Sequence, residues 1–362
     1  MRLISIDQVT GNEVLAQSLY DIDGRKLLNA GVSLRPAILQ KLYDKGVTNI
    51  YIEDELSEGI EIHGALCEET RSRAKLIIRD EMNRLSQKKE INYTNLNGTV
   101  DSILDEILSR RIDIVNVKDI RMQDEQTFAH SVNVCVMAIA LATKLSLPVS
   151  KIKSIAMGAL MHDIGKAFLP SAIMNKTDQL TDKEMNEYKK HPILGYNMIK
   201  DDNDASATTK ISVLMHHEHF NGSGYPMGLA GDKIHYSARI ITICDEFDSA
   251  MNDKNNKYFL KTTDAVEYMI GASGFIFDKS MVDEFIRMVP IYNEGSIVLL
   301  SNGNLAIVIK NNSINLTRPV VRAFYNPKTK TKLSKSNIID LKEELSIKIL
   351  REIKYNVNDL MP

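Results

Sequence analysis

Residues 155–166 read IAMGALMHDIGK, an apolar run that ends abruptly on His162-Asp163 and a glycine. Two further runs share this build: ISVLMHHE ends on His216-His217 and ARIITICDE on Asp245-Glu246. All three lie within residues 100–286, where apolar positions recur at helical spacing. Gly and Pro punctuate that region at Pro148, Gly165, Pro170, Pro192, Gly195 and the loop 221–231. The expected fold is mainly α, with imidazoles and carboxylates delivered at the ends of apolar segments. A lone His on an apolar face is ordinary core or surface chemistry. Here His130 and His191 join the set, and six of the eight histidines fall between positions 130 and 219. Buried polar groups need partners, and several converging His and Asp side chains are hard to satisfy without a cation. The pattern therefore points to a metallohydrolase. Imidazole with carboxylate suits Fe(II), Mn(II) or Zn(II), and a carboxylate between two ions can bridge them.

The flanks differ in character. Residues 1–60 read as a small α+β module: β-type runs over 14–20, a turn at Asp23-Gly24, helical spacing over 35–45 and a strand over 47–53. Residues 61–118 read as a helical connector, charged from 68 to 89 with apolar Ala74, Ile77, Ile78 and Met82. It packs either against a second subunit of a homodimer or on its own domain. Residues 119–288 make the helical metal domain, and 289–362 a small C-terminal β module with a terminal tail. In that module GSIVLLSNGNLAIVIKNN joins two β-rich runs through Asn302-Gly303, a hairpin signal, and RPVVRAFY and SNIIDL add two strands. The end, SIKILREIKYNVNDLMP, is given no role.

A net charge of -2 and a pI near 6.5 supply no global field for DNA or an acidic membrane surface, so neither is expected as a partner. Any anionic ligand must be held locally. Cys67, Cys135 and Cys244, with no CxxC pair, imply neither a disulfide framework nor a zinc ribbon. The first residues lack a signal-peptide pattern, and no stretch approaches 18 uninterrupted apolar residues; a cytoplasmic protein is expected.

From 124 to 285 the chain carries, in order, DEQTFAHSVNV, ALMHDIGKAFLP, IMNKTDQLTDKEM, KHPILGYNMI, HHEHFNGSGYPMGLAGDKI and ARIITICDEFDSAM. In this order and spacing it closely resembles the HD-GYP family, bacterial HD-superfamily phosphodiesterases that hydrolyse cyclic di-GMP. The runs VLAQSLYDIDGRKLLNAGVSL and VTNIYI resemble the short N-terminal module of many such proteins, and the β module resembles their C-terminal extension. The resemblance implies that His130, His162, Asp163 and Asp245 surround one metal and His191, His216 and His217 a second, with Asp163 bridging. Iron or manganese is the expected pair. Two cations about 3.5–4 Å apart can activate water and neutralise a phosphodiester oxygen together. Lys166 is expected to be catalytic, meeting the phosphate or transition-state charge rather than ligating metal.

In NGSGYP, Gly222 and Gly224 permit positive φ and close approach to a substrate, or serve a purely structural turn. Tyr225 either stacks on a base or closes the core. Glu218 and Arg239 are read as a structural ion pair orienting the ligands beside it. Several positions depart from the family pattern. Gln126 stands where relatives carry Tyr, or Glu in those thought to hold a third metal; a neutral amide is a poor ligand, so two metals are expected. His219 replaces Arg and Asn221 replaces Asp, with Asn-Gly keeping the turn chemistry. The substrate-contacting RPYK segment reads Lys254-Asn255-Asn256-Lys257, which keeps both basic positions and loses the Tyr and the planar Arg fork.

The leading reading is a metal-dependent phosphodiesterase that opens cyclic di-GMP to pGpG and on to GMP. One variant takes another cyclic dinucleotide such as cyclic GMP-AMP. A rival from another class is a non-catalytic, metal-containing sensor that binds the nucleotide, or signalling proteins through the GYP loop. The intact His and Asp set with Lys166 favours the enzyme.

Overall fold

The computed structural model describes residues 1–21, 24–62, 64–87, 89–110, 114–115, 126–176, 178–252, 262–312, 314–334 and 337–353. The chain divides into two compact units: Met1–Gly64, Ile114–Gln126 and Val289–Pro362 in one, Ala65–Asp113 and Thr127–Met288 in the other.

In the first unit, β1 (Arg2–Ser5), β2 (Val14–Leu15) and β5 (Asn49–Glu53) form an antiparallel sheet of order β1-β5-β2. A separate ribbon pairs β3 (Leu19–Tyr20) with β4 (Lys26–Leu28). Helix α1 (Pro36–Asp44) starts on a proline, whose missing N–H costs nothing in the first turn. It covers a core that includes Leu15, Leu34, Leu42, Ile50 and Ile52. The C-terminal strands β6 (Ile297–Leu300) and β7 (Leu305–Lys310) make the expected hairpin, with Leu299 opposite Leu305 and Gly303 at φ +86°. Strand β8 (Val320–Asn326) alternates buried and half-buried residues. It pairs with β7, with β9 (Thr331–Lys332) and with β10 (Ile338–Asp340). The end of the chain, left without a role above, supplies β11 (Ile349–Glu352) on the β6 edge.

The second unit is helical. Its helices are α2 (Glu68–Ser86), α3 (Tyr93–Arg110), α4 (Gln126–Lys144), α5 (Val149–Met161), α6 (Ser171–Met174), α7 (Asp182–Tyr188), α8 (His191–Ile199), α9 (Ala207–Met215), α10 (Tyr236–Asn252), α11 (Thr262–Ala272) and α12 (Lys279–Ile286). Among the described residues one helical stretch, Thr127–Lys144 in α4, is long and apolar enough to cross a membrane. It is 72% buried within the protein, so its apolar surface goes into the core. Helices α5 and α9 pack against each other and α10 packs against both. A 3-10 turn, Ile164–Phe168, follows α5 and packs on α8. Gly165 makes that approach close enough: a Cβ there would overlap the His191 carbonyl oxygen. The ends of α5 and α9, the start of α8, the N-terminal part of α4 and the middle of α10 thus meet.

Candidate metal centre

A helix leaves its last carbonyls without intrahelical partners. Here imidazoles take them up. His162 Nδ1 donates to the Ala159 carbonyl at 2.7 Å, His191 Nδ1 to Tyr188 at 2.8 Å and His216 Nδ1 to Val213 at 2.9 Å, each three residues upstream. Donation from Nδ1 fixes the tautomer and leaves the Nε2 lone pair free. All three rings are fully buried. Their Nε2 atoms converge: His191 Nε2 lies 3.2 Å from both His216 Nε2 and His217 Nε2, and His162 Nε2 lies 3.2 Å from His130 Nε2.

Between His191 and His216, both of which donate through Nδ1, two Nε2 lone pairs face each other and repel unless a cation sits between them. The carboxylates carry the same message. Asp163 Oδ1 is buried without a hydrogen-bond donor, 3.4 Å from His191 Nε2 and 4.0 Å from His216 Nε2. Asp163 Oδ2 lies 3.4 Å from His162 Nε2 and 3.9 Å from His130 Nε2. Asp245, from α10, places Oδ1 3.0 Å from His130 Nε2 and Oδ2 3.6 Å from His217 Nδ1. The ligand atoms fall into two groups, Asp163-His191-His216-His217 and His130-His162-Asp245, each within 4.8 Å of one another. Asp163 faces both. Neutral imidazoles, an orphaned acceptor and two carboxylates fit divalent cations of the first transition row.

The electrostatics agree. Burial, with like-charged neighbours, lowers His191 to about 3, and burial lowers His217 to about 4 and His216 well below its ordinary value. These rings are therefore neutral, as ligation requires. Burial opposes ionisation of Asp163, but His162 and Lys166 hold its carboxyl well below the usual range. Asp245 is likewise held low, against burial, chiefly by His130. His130 goes the other way: burial opposes its charge, but Asp245 and Asp248 outweigh burial and raise it to about 10. A proton on His130 supplies the positive charge that these carboxylates attract, and a metal would replace it. Lys166 Nζ sits 2.5 Å from Asp163 Oδ2 and 5.1 Å from the Tyr188 ring centroid; against burial, Asp163 keeps it protonated.

The loop after His217 wraps back on the centre. A Cβ on Gly224 would overlap the His217 carbonyl and the His219 nitrogen, so the loop lies against the backbone of His217 and the two residues after it. Gly222 turns at φ +82°, and Asn221 Oδ1 accepts from Ser223 N at 2.9 Å, so the Asn-Gly turn holds. Tyr225 stacks on His217 with ring centroids 4.7 Å apart and 25° between planes. The expected Glu218–Arg239 pair does not form. Buried Glu218 instead accepts backbone N–H groups of Met227 at 2.6 Å and Leu229 at 2.8 Å, tying the loop closed. Arg239 pairs with Asp278 at 2.7 Å and Asp232 at 3.0 Å. Free loop N–H donors satisfied Glu218 locally, which a reading of charges alone does not reveal. Lys254 and Lys257 lie outside the described residues, as does the side chain of Gln126.

Two functional neighbours were missed. Asp248 Oδ2 accepts from His130 Nδ1 at 2.8 Å. Its position three residues after Asp245 puts it on the same helix face, a signal that could have found it. Tyr188 lies edge-on to His191, with centroids 5.2 Å apart; no sequence pattern marks it.

The HD domain family profile matches residues 113–281, and that of a KOW domain associated with the HD domain matches 297–357. A Pseudomonas aeruginosa protein named cyclic di-GMP phosphodiesterase is 32% identical over 79% of this chain and 68% of its own length. A Xanthomonas campestris cyclic di-GMP phosphodiesterase response regulator is 33% identical over 46% of this chain and 45% of its own. The chain thus spans just over two thirds of the first relative's length and a little under half of the second's. Among solved structures, an HDG"Y"P protein from Bdellovibrio bacteriovorus has the same fold, with TM-score 0.50 at 18% identity over 78% of this chain and 97% of that one. With the two ligand groups, the histidine-anchored loop and this similarity together, the chain belongs to the HD-GYP family of HD-domain phosphodiesterases.

Proposed function

We propose that the protein opens cyclic di-GMP to linear pGpG and carries it on to GMP, using two divalent ions, iron or manganese. The single observation behind this is the convergence of tautomer-fixed Nε2 atoms on the Asp163 carboxylate, those of His191 and His216 on its donor-free Oδ1 and that of His162 on Oδ2. His130, His162 and Asp245 would hold one ion and His191, His216 and His217 the other, with Asp163 between them. When bound, the ions supply an activated water and neutralise charge on the scissile phosphate. Lys166, kept protonated beside Asp163, offers its ammonium to a phosphate oxygen as charge develops there. Tyr225 holds the His217 ring in plane, and the Gly222–Gly224 turn presents backbone to the substrate. Lys254 and Lys257 complete the contacts to phosphate or guanine.

Replacement of the RPYK segment by Lys254-Asn255-Asn256-Lys257 favours a second reading, another cyclic dinucleotide such as cyclic GMP-AMP. Metal-loaded protein incubated separately with cyclic di-GMP, 3'3'-cyclic GMP-AMP and cyclic di-AMP, with products identified by mass, tests both. Fastest conversion of cyclic di-GMP to pGpG is expected. Faster turnover of cyclic GMP-AMP selects the second reading, and binding without turnover of any of the three identifies a sensor.

A further inference from the structure

Helix α2 lies before the segment that matches the HD domain profile, yet a hydrogen-bonded chain joins it to His130, the metal-site histidine nearest to it in sequence. Arg71 Nη1 donates to Asn133 Oδ1 at 2.8 Å, and Asn133 Nδ2 donates to Asp248 Oδ1 at 2.9 Å. Asp248 Oδ2 then accepts from His130 Nδ1 at 2.8 Å. Arg71, Asn133 and Asp248 are all buried, and Glu68 Oε1 lies 3.7 Å from Arg71 Nε. We infer that Arg71, Asn133 and Asp248 are positioning residues for the metal centre, with α2 aiming the Nε2 lone pair of His130 through this network.

The order of donors has a consequence. Arginine only donates and an ionised carboxylate only accepts. Asn133 between them has one orientation that satisfies both, its oxygen toward Arg71 and its NH2 toward Asp248. The second carboxylate oxygen of Asp248 is then available for His130 Nδ1–H, which turns Nε2 toward Asp245 and His162. An amide at 248 breaks the order: with oxygen toward His130, its NH2 faces that of Asn133. Flipping Asn133 only moves the donor–donor contact to Arg71. Substituting the partner that orients a ligating imidazole weakens metal affinity by about 10- to 100-fold.

The inference rests on the two-metal reading, and its test separates the two. Holoprotein is mixed with excess chelator, and release of each metal equivalent is followed by elemental analysis alongside a thermal melt. In Asp248→Asn, which keeps the side-chain volume, one of the two ions is expected to leave about tenfold faster than from wild type, with the other unchanged. Arg71→Met should show the same selectivity to a smaller extent. Should Arg71→Met not fold, Asp248→Asn carries the test alone. Wild-type release rates for both ions in Asp248→Asn would overturn the inference and leave the metal centre standing. So would equal acceleration of both ions in step with a lowered Tm, which marks a network that supports only the fold. Wild-type protein that holds no metal overturns the two-metal reading and this inference with it.

Discussion

At the scale of single residues, three carbonyls at helix ends decide the chemistry. By accepting from Nδ1 of His162, His191 and His216 they turn Nε2 inward. Asp163 then meets both ligand groups, so Asp163→Ala should abolish metal retention and turnover together, measured by elemental analysis and product formation. Lys166→Ala should spare the metals and lower kcat by about 10²- to 10³-fold, the cost of removing one charge-stabilising donor. Full activity in that variant at saturating metal would remove Lys166 from the mechanism. Losing Lys254 and Lys257 together, at about 1.5–3 kcal/mol per charge-assisted contact, should raise the Kd for cyclic di-GMP roughly a hundredfold or more. An unchanged isotherm would take that segment out of the binding site. For metal-free protein the pH dependence has a definite sign. His191 and His217 fall from 6.5 when unfolded to about 3 and 4 when folded. Below 6.5 the unfolded chain binds protons that the folded chain refuses, so stability present above 6.5 is lost as the pH falls toward 4. A melt that is flat from pH 6.5 to 4 would contradict the neutral-imidazole assignment.

At the scale of elements, apolar runs ending in His and Asp were legible because a helix buries its length and exposes its end. The reasons for their convergence were not. Gly165 reads in sequence as a helix terminator, whereas its role is to let the 3-10 turn reach α8 and bring His191 to Asp163. Gly165→Ala should therefore push His191 away. Overpacking costs about 1–3 kcal/mol, and metal content should fall along with Tm. Retained metal with only a lowered Tm would show that α8 tolerates the shift. Strands β1 and β11, four residues each, escaped the reading because so short a segment carries too little alternation to be told from coil. The Glu218 cap escaped it too, since its partners are backbone groups of a loop whose path only the fold determines.

At the scale of the whole molecule, the sequence divides into four parts at 60, 118 and 288, whereas compactness groups α2 and α3 with the metal-bearing helices. Charge and periodicity show that 68–89 is helical. They do not show which unit it joins, because that depends on Arg71 finding Asn133 62 residues away. The β module was legible through Asn302-Gly303, and its hairpin offers a control outside the helical unit. Gly303→Val forces a β-branched residue to φ +86°, which should cost about 1–2 kcal/mol while leaving metal content and turnover unchanged. Loss of metal in that variant would mean the centre depends on the β module. The central claim is that seven side chains from five helical segments form one two-metal centre. Elemental analysis of protein purified anaerobically tests it most directly. Two first-row transition ions per chain, both lost in Asp163→Ala, are predicted; a reproducible value of one or less in the wild type would contradict it.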